Sequence, residues 1–155
     1  MNWAIPEFIN LAQLILAAVL GAVVGWERRY HNRLESEVRT FASVALGACA
    51  FGLVSILAAG DKVDPTRISA QVVTGIGFLG AGMILHQQNR TTGLATAALL
   101  WATAAVGLAI AHGLYLIGIV TAAVVFIVRH FPTLLKPRYV DDDPSESGPA
   151  GPPGK

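Results

Sequence analysis

DPTRISAQVVTGIGFLGAGMI, residues 64–84, decides the fold of this chain; after a short polar break the sequence continues as GLATAALLW, residues 93–101. The first stretch contains Gly75-x-Gly77-x-x-Gly80, the spacing of a dinucleotide-binding loop. Such a loop needs a strand before the glycines, a helix after them and an acidic residue about 20 positions on. Here the glycines sit inside one apolar run with no polar turn, and the matching downstream stretch is Ala97-Ala98-Leu99-Leu100, without a carboxylate. The nucleotide reading therefore fails. In a membrane helix the same glycines let a second backbone approach closely, and dispersion then holds the pair.

Composition supports the membrane reading. The chain is 54% hydrophobic and only 14% charged, with a mean hydropathy of +0.56. A soluble domain of 155 residues could not hide that much apolar surface. The apolar residues come in blocks of about the length that spans a bilayer. Five spans are expected, near residues 8–26, 40–59, 67–86, 93–111 and 114–131, giving an all-α polytopic membrane protein. Trp3 and Trp26 bracket the first block, as interfacial aromatics do. That block has no basic segment before it and no cleavage pattern, so it reads as a retained anchor. Only His112-Gly113 separates the last two blocks, which demands a tight connection.

The basic residues give an orientation. Arg28, Arg29, Arg33, Arg39, Arg90, Arg129, Lys136, Arg138 and Lys155 fall on one side, and Lys62 and Arg67 on the other. The positive-inside rule then puts the N-terminus outside and the C-terminus in the cytoplasm. Residues 1–136 form the expected membrane domain. The tail 137–155, rich in Pro, Gly, Ser and Asp, reads as disordered. No internal repeat is evident.

Asp64-Pro65 reads as an N-cap followed by proline at the first helical position of the third span. Arg67, Gln71 and Thr74 or Gly75 then share one face. An amide at Gln71 inside a span needs a partner, because lipid offers none; it serves either an interhelical hydrogen bond or a cavity. Small residues four apart recur at Gly21/Gly25, Gly77/Ala81, Gly93/Ala97, Gly107/Ala111 and Gly118/Ala122. They imply a tightly packed bundle and a homodimer. Gly75, Gly77, Gly80 and Gly82 are the expected packing seam, and Trp101, mid-span, is core packing or a constriction.

Several ordered motifs resemble one known family. Gly25-Trp26-Glu27-Arg28, Val38-Arg39-Thr40 and Ala45-Leu46-Gly47-Ala48 are similar to the opening of the MgtC/SapB family of bacterial inner-membrane proteins. Asp64-x-x-Arg67-Ile68-x-Ala70-Gln71, continuing through Thr74 to Gly82, resembles its central signature. Gly93-Leu94-Ala95-Thr96-Ala97-Ala98-x-x-Trp101 and Ala105-x-Gly107 resemble its following helix. The resemblance covers roughly residues 14–128. It implies a role in magnesium homeostasis and growth in low magnesium and, in pathogens, in survival inside macrophages. Some members are assigned as magnesium transporters, others as regulators, including of the proton-translocating ATP synthase. Longer members carry a cytoplasmic C-terminal domain, and the chain reads as a short form without it. Ala95 stands where members commonly have Thr or Asn.

A direct Mg²⁺ path needs oxygen ligands. No carboxylate falls near the middle of an expected span; Asp61 and Asp64 could draw a hydrated cation to the outer mouth, and Glu27 to the inner one. Ion-coupled transport usually keeps an ionisable group in the membrane. The sequence thus leaves two mechanisms, a channel for hydrated Mg²⁺ and a non-transporting regulator that binds another membrane complex through its helix faces. The expected polar framework, and candidate ion path, is Glu27, Arg39, Asp64, Arg67, Gln71 and Thr74. No cofactor is expected beyond Mg²⁺ as a transported or sensed ion, and no enzyme chemistry: His31, His86, His112 and His130 show no ligand spacing, and no nucleophile has an adjacent base. Single Cys49 reads as packing. Nucleic-acid binding has no support.

Overall fold

The computed structural model describes residues 4–26, 34–59, 64–87 and 90–130. Five helices follow in order: α1 Ala4–Gly25, α2 Leu34–Leu57, α3 Arg67–Met83, α4 Leu94–Ala111 and α5 Tyr115–His130. A helix satisfies its own backbone, which is the condition for an apolar segment to sit in lipid. At 1.5 Å per residue, α1, α2 and α4 measure about 33, 36 and 27 Å, against a hydrocarbon core of roughly 30 Å. Their stretches Glu7–Gly25, Glu37–Leu57 and Leu94–Ala111 are long and apolar enough to cross a membrane. α5 is a shorter apolar helix of 16 residues, and α3 has 17.

The third expected span reaches too far. α3 ends at Met83, Ile84 turns extended, and a two-stranded antiparallel hairpin follows, β1 Leu85–Gln87 with β2 Arg90–Thr92. The register pairs Leu85 with Thr92, His86 with Thr91 and Gln87 with Arg90. Among the described residues the fold is therefore helical except for this hairpin, which occupies the polar break. Gly93, at φ 86°, turns the chain into α4, and a Cβ there would strike the Met83 carbonyl oxygen. Only glycine meets both conditions.

The α4–α5 connection is as tight as His112-Gly113 requires. Gly113, at φ 73°, donates its N–H to the Ile110 oxygen, and Leu114 donates to the Ala109 oxygen. These are the two bonds of a Schellman ending.

Small residues set the packing. A Cβ on Gly21 of α1 would lie 2.6 Å from the Phe41 oxygen and 2.8 Å from Ala45 Cβ, both on α2. One on Gly25 would lie 2.9 Å from Val38 Cα. From the other side, a Cβ on Gly107 of α4 would run into the Ala45 oxygen and come within 2.9 Å of Ala48 Cβ. Ala45 is fully buried between two glycines of two different helices. Gly118 of α5 takes Ile110 in the same manner. Side chains fill the space above and below this level. Val24, Phe41, Leu100, Val106, Ala122 and Val125 form one cluster, and Ala17, Cys49, Leu53, Ile110 and Ala111 the other.

Gly107→Ala therefore costs about 1–3 kcal/mol through overpacking, whereas Gly47→Ala, facing open space, gains up to about 1 kcal/mol in helix propensity. Thermal unfolding in detergent checks both. Equal shifts for the two variants would contradict the packing described.

Candidate functional site: the groove between α2 and α3

α3 is fastened to the bundle at its first turn. The turn before it is held by Asp64, whose Oδ1 accepts the Thr66 N–H at 2.8 Å and the Thr66 hydroxyl at 2.7 Å. These bonds favour the ionised carboxylate and hold Asp64 below the usual aspartate range. That contribution is present above the unfolded-state value and is lost as pH falls through the lower folded one. The helix itself begins at Arg67, two residues later than an Asp64 cap implies. Asp64 is spent on an Asx-type turn, and Thr66, at the N-cap position, makes no side-chain cap bond.

The cap comes instead from a neighbouring helix. Ser55 of α2, 4% exposed, donates its hydroxyl to the Pro65 oxygen at 2.6 Å and accepts the Ile68 N–H at 3.1 Å. One residue further on, Ser69 Oγ lies 3.1 Å from His112 Nε2 in the α4–α5 turn. Gly80 then packs on Ala97 of α4, where a Cβ on the glycine would meet Ala97 Cβ at ordinary contact distance, 3.5 Å.

Fastened in this way to α2 at one end and along α4, α3 leaves an open groove of about 710 Å³ against α2. Arg39, Thr40 and Ser43 line one end, Gly47 and Gly75 its middle, and Phe51 and Gln71 the other end. α2 and α3 run antiparallel, so Arg39 and Gln71 share the groove but stand at opposite ends of it. Thr74 bonds weakly to its own helix, Oγ1 to the Ala70 oxygen at 3.5 Å. Arg67 is exposed at the helix start. Glu27 and Asp61 lie outside the described residues, as does the tail 137–155. Among the described residues, no group of three or more His, Cys, Asp or Glu is placed to hold a metal ion.

The expected glycine seam of α3 divides. Gly80 meets α4, while a Cβ on Gly75, Gly77 or Gly82 would meet nothing within 4 Å among the described residues. Backbone approach falls instead on Gly21, Gly25 and Gly107, while Gly52 admits the Ala111 methyl. Trp101 is 54% exposed on α4, outside the core of this chain. Its neighbours Leu100, Thr103 and Ala104 take the buried face at that level.

Three polar contacts escape the sequence reading. Gln13 of α1, 6% exposed, donates Nε2 to the Ile110 oxygen at 2.7 Å, satisfying a carbonyl at the end of α4. Its signal was an amide inside an apolar helical run. Arg129 of α5 pairs with Glu37 of α2, and its guanidinium lies 4.9 Å from the Phe41 ring centroid. The third is the Ser69–His112 bond. The Arg129 and His112 contacts join residues 92 and 43 positions apart, with no local pattern to announce them.

This arrangement can be set beside known proteins. The model of the MgtC family matches residues 14–136, which takes in nearly the whole helical part. The chain belongs to the MgtC family. "Protein MgtC" of Brucella abortus (strain 2308) is 46% identical over 137 residues, 88% of this chain and 55% of that protein. "Putative magnesium transporter YhiD" of Escherichia coli (strain K12) is 40% identical over 129 residues, 79% of this chain and 59% of its own length. An "Uncharacterized protein" of Haemophilus influenzae is 40% identical over 143 residues, 86% and 59% of the two chains. This MgtC family member thus spans a little over half the length of these curated relatives. No solved structure matches it.

Ser55 is the test of how α3 is held. Ser55→Ala leaves the Ile68 N–H and the Pro65 oxygen without that partner and costs about 1–2 kcal/mol. Thermal unfolding reads the loss, and amide exchange locates it at the start of α3. Unchanged protection of Ile68 would contradict the cap.

Proposed function

We propose that this MgtC family protein works in magnesium homeostasis and adaptation to low magnesium, as a multi-pass protein of the bacterial inner membrane. The observation that carries the proposal is the family match over residues 14–136, together with relatives of which one is named for MgtC and another for magnesium transport. Five spans, with the N-terminus outside and the C-terminus cytoplasmic, fit the distribution of basic residues. The Glu37–Arg129 pair, which joins the start of α2 to the end of α5, is compatible with that alternation.

The mode of action we favour is contact rather than conduction, and non-enzymatic. Ala70, Thr74, Gly77 and Ala81 form an exposed small-residue stripe on α3, turned away from both α2 and α4. A second helix could approach this stripe closely in lipid, where small residues and not apolar bulk drive association. It would serve a homodimer or the binding of another membrane complex, such as the ATP synthase that the family resemblance implies. The second reading, Mg²⁺ passage, is favoured by the name of the Escherichia coli relative and by the presence of Arg39 and Gln71 in one groove.

Bacteria lacking their own copy and starved of magnesium provide the test. Gly77→Leu and Ala81→Leu are expected to abolish rescue of growth while changing stability by no more than about 1 kcal/mol. Full rescue by both variants would overturn the contact reading. Loss of rescue by Gln71→Leu alone would favour passage.

A further inference from the structure

The groove between α2 and α3 has a chemistry that the contact reading does not use. Three of its four polar side chains line one end, where Arg39, Thr40 and Ser43 supply a guanidinium and two hydroxyls. Beyond them the walls are apolar as far as Phe51 and Ile68, with the Gln71 amide at the far end. Gly47 and Gly75 deepen the middle, since a Cβ on either would meet nothing within 4 Å.

Length and charge identify the occupant. From Arg39 to Phe51 is twelve residues along α2, about 18 Å at the helical rise. One leaflet of a bilayer has a hydrocarbon depth of about 15 Å. The groove therefore runs from an interfacial cation through about one leaflet of apolar wall. That is the outline of a phospholipid: a charged head, then one acyl chain. A basic site between membrane helices near the interface is suited to an anionic headgroup, and the guanidinium with two hydroxyls supplies donors for phosphate oxygens.

We propose that the α2–α3 groove binds a membrane phospholipid with an anionic headgroup, its phosphate on Arg39, Thr40 and Ser43 and one acyl chain lying between Gly47 and Gly75. This rests on α2 and α3 lying in the bilayer. It also assigns the groove and the outward stripe of α3 to different ligands, a lipid on one face and a helix on the other.

Native mass spectrometry of the full chain tests the site. The protein is released from nanodiscs made of equal parts phosphatidylglycerol and phosphatidylcholine, and the lipid retained is weighed. The wild type should keep phosphatidylglycerol over phosphatidylcholine by about fivefold, the enrichment one basic residue gives at an anionic surface. Arg39→Gln should bring the ratio to parity, and Arg39→Lys should keep most of it. Gly47→Leu and Gly75→Leu, each filling the groove separately, should lose retention of both lipids. Val120→Leu, on the exposed side of α5, should retain lipid as the wild type does. Melting temperatures identify any variant that fails to fold, and the remaining groove variant then decides. No enrichment in the wild type would overturn the proposal, as would enrichment that survives Arg39→Gln. So would cross-linking of Gly47→Cys to a helix of a second chain, because a protein would then occupy the groove.

Discussion

Ala45 sits where three helices come within reach of one another's backbones. Gly21 of α1 approaches it from one side and Gly107 of α4 from the other, and neither position has room for a Cβ. In lipid, helices gain little from burying apolar surface, so association depends on how closely their atoms approach. The two glycines bring α1 and α4 onto α2 at the same level. Val106 and Phe41 on one side of that level, and Cys49, Ala17 and Ile110 on the other, then pack with almost no exposure. A bundle closed in this way has side chains and backbone along its axis.

The same closure determines what is left over. α4 is engaged on several sides, while α3 is held at its first turn by Ser55 and along one face by Ala97. Its remaining faces are unclaimed. One looks into the α2 groove and the other, with Gly77 and Ala81, looks away from the bundle. Gly75, Gly77 and Gly82 of the stretch that resembles the family's central signature thus lie on the periphery of the chain, where other molecules can reach them. Polar side chains inside the bundle have structural work: Gln13 closes the end of α4, and Thr103 bonds back to the Leu99 oxygen at 2.8 Å.

Much of this was legible in the sequence, for physical reasons. Helices follow from apolar blocks because lipid tolerates little else, and the tight α4–α5 turn follows from two residues of linker. The pair Gly21/Gly25 is a small-residue contact visible in its spacing alone. The direction of the α3 glycines was not legible. Spacing places Gly75, Gly77, Gly80 and Gly82 on a helix, but which of them meets a neighbour depends on where α4 docks. The cap of α3 was not legible for a similar reason, although its start at Arg67 matches the expected span. An Asp-Pro pair is a good local cap, yet a serine from another helix took the role. At the far end, β1 and β2 shortened the helix because a polar break permits a strand pair that hydropathy does not detect. Resemblance carried the family correctly, but the groove became visible only once α2 and α3 were placed side by side.

A backbone-tight bundle of this kind acts, in our proposal, through its outer faces and not through a passage along its axis. Purified protein in liposomes loaded with a magnesium-sensitive dye tests that most directly. The expected result is no magnesium entry above protein-free liposomes at any gradient or voltage, from a preparation that retains activity in cells. Dye response that scales with the amount of protein and disappears in Gln71→Leu would contradict it.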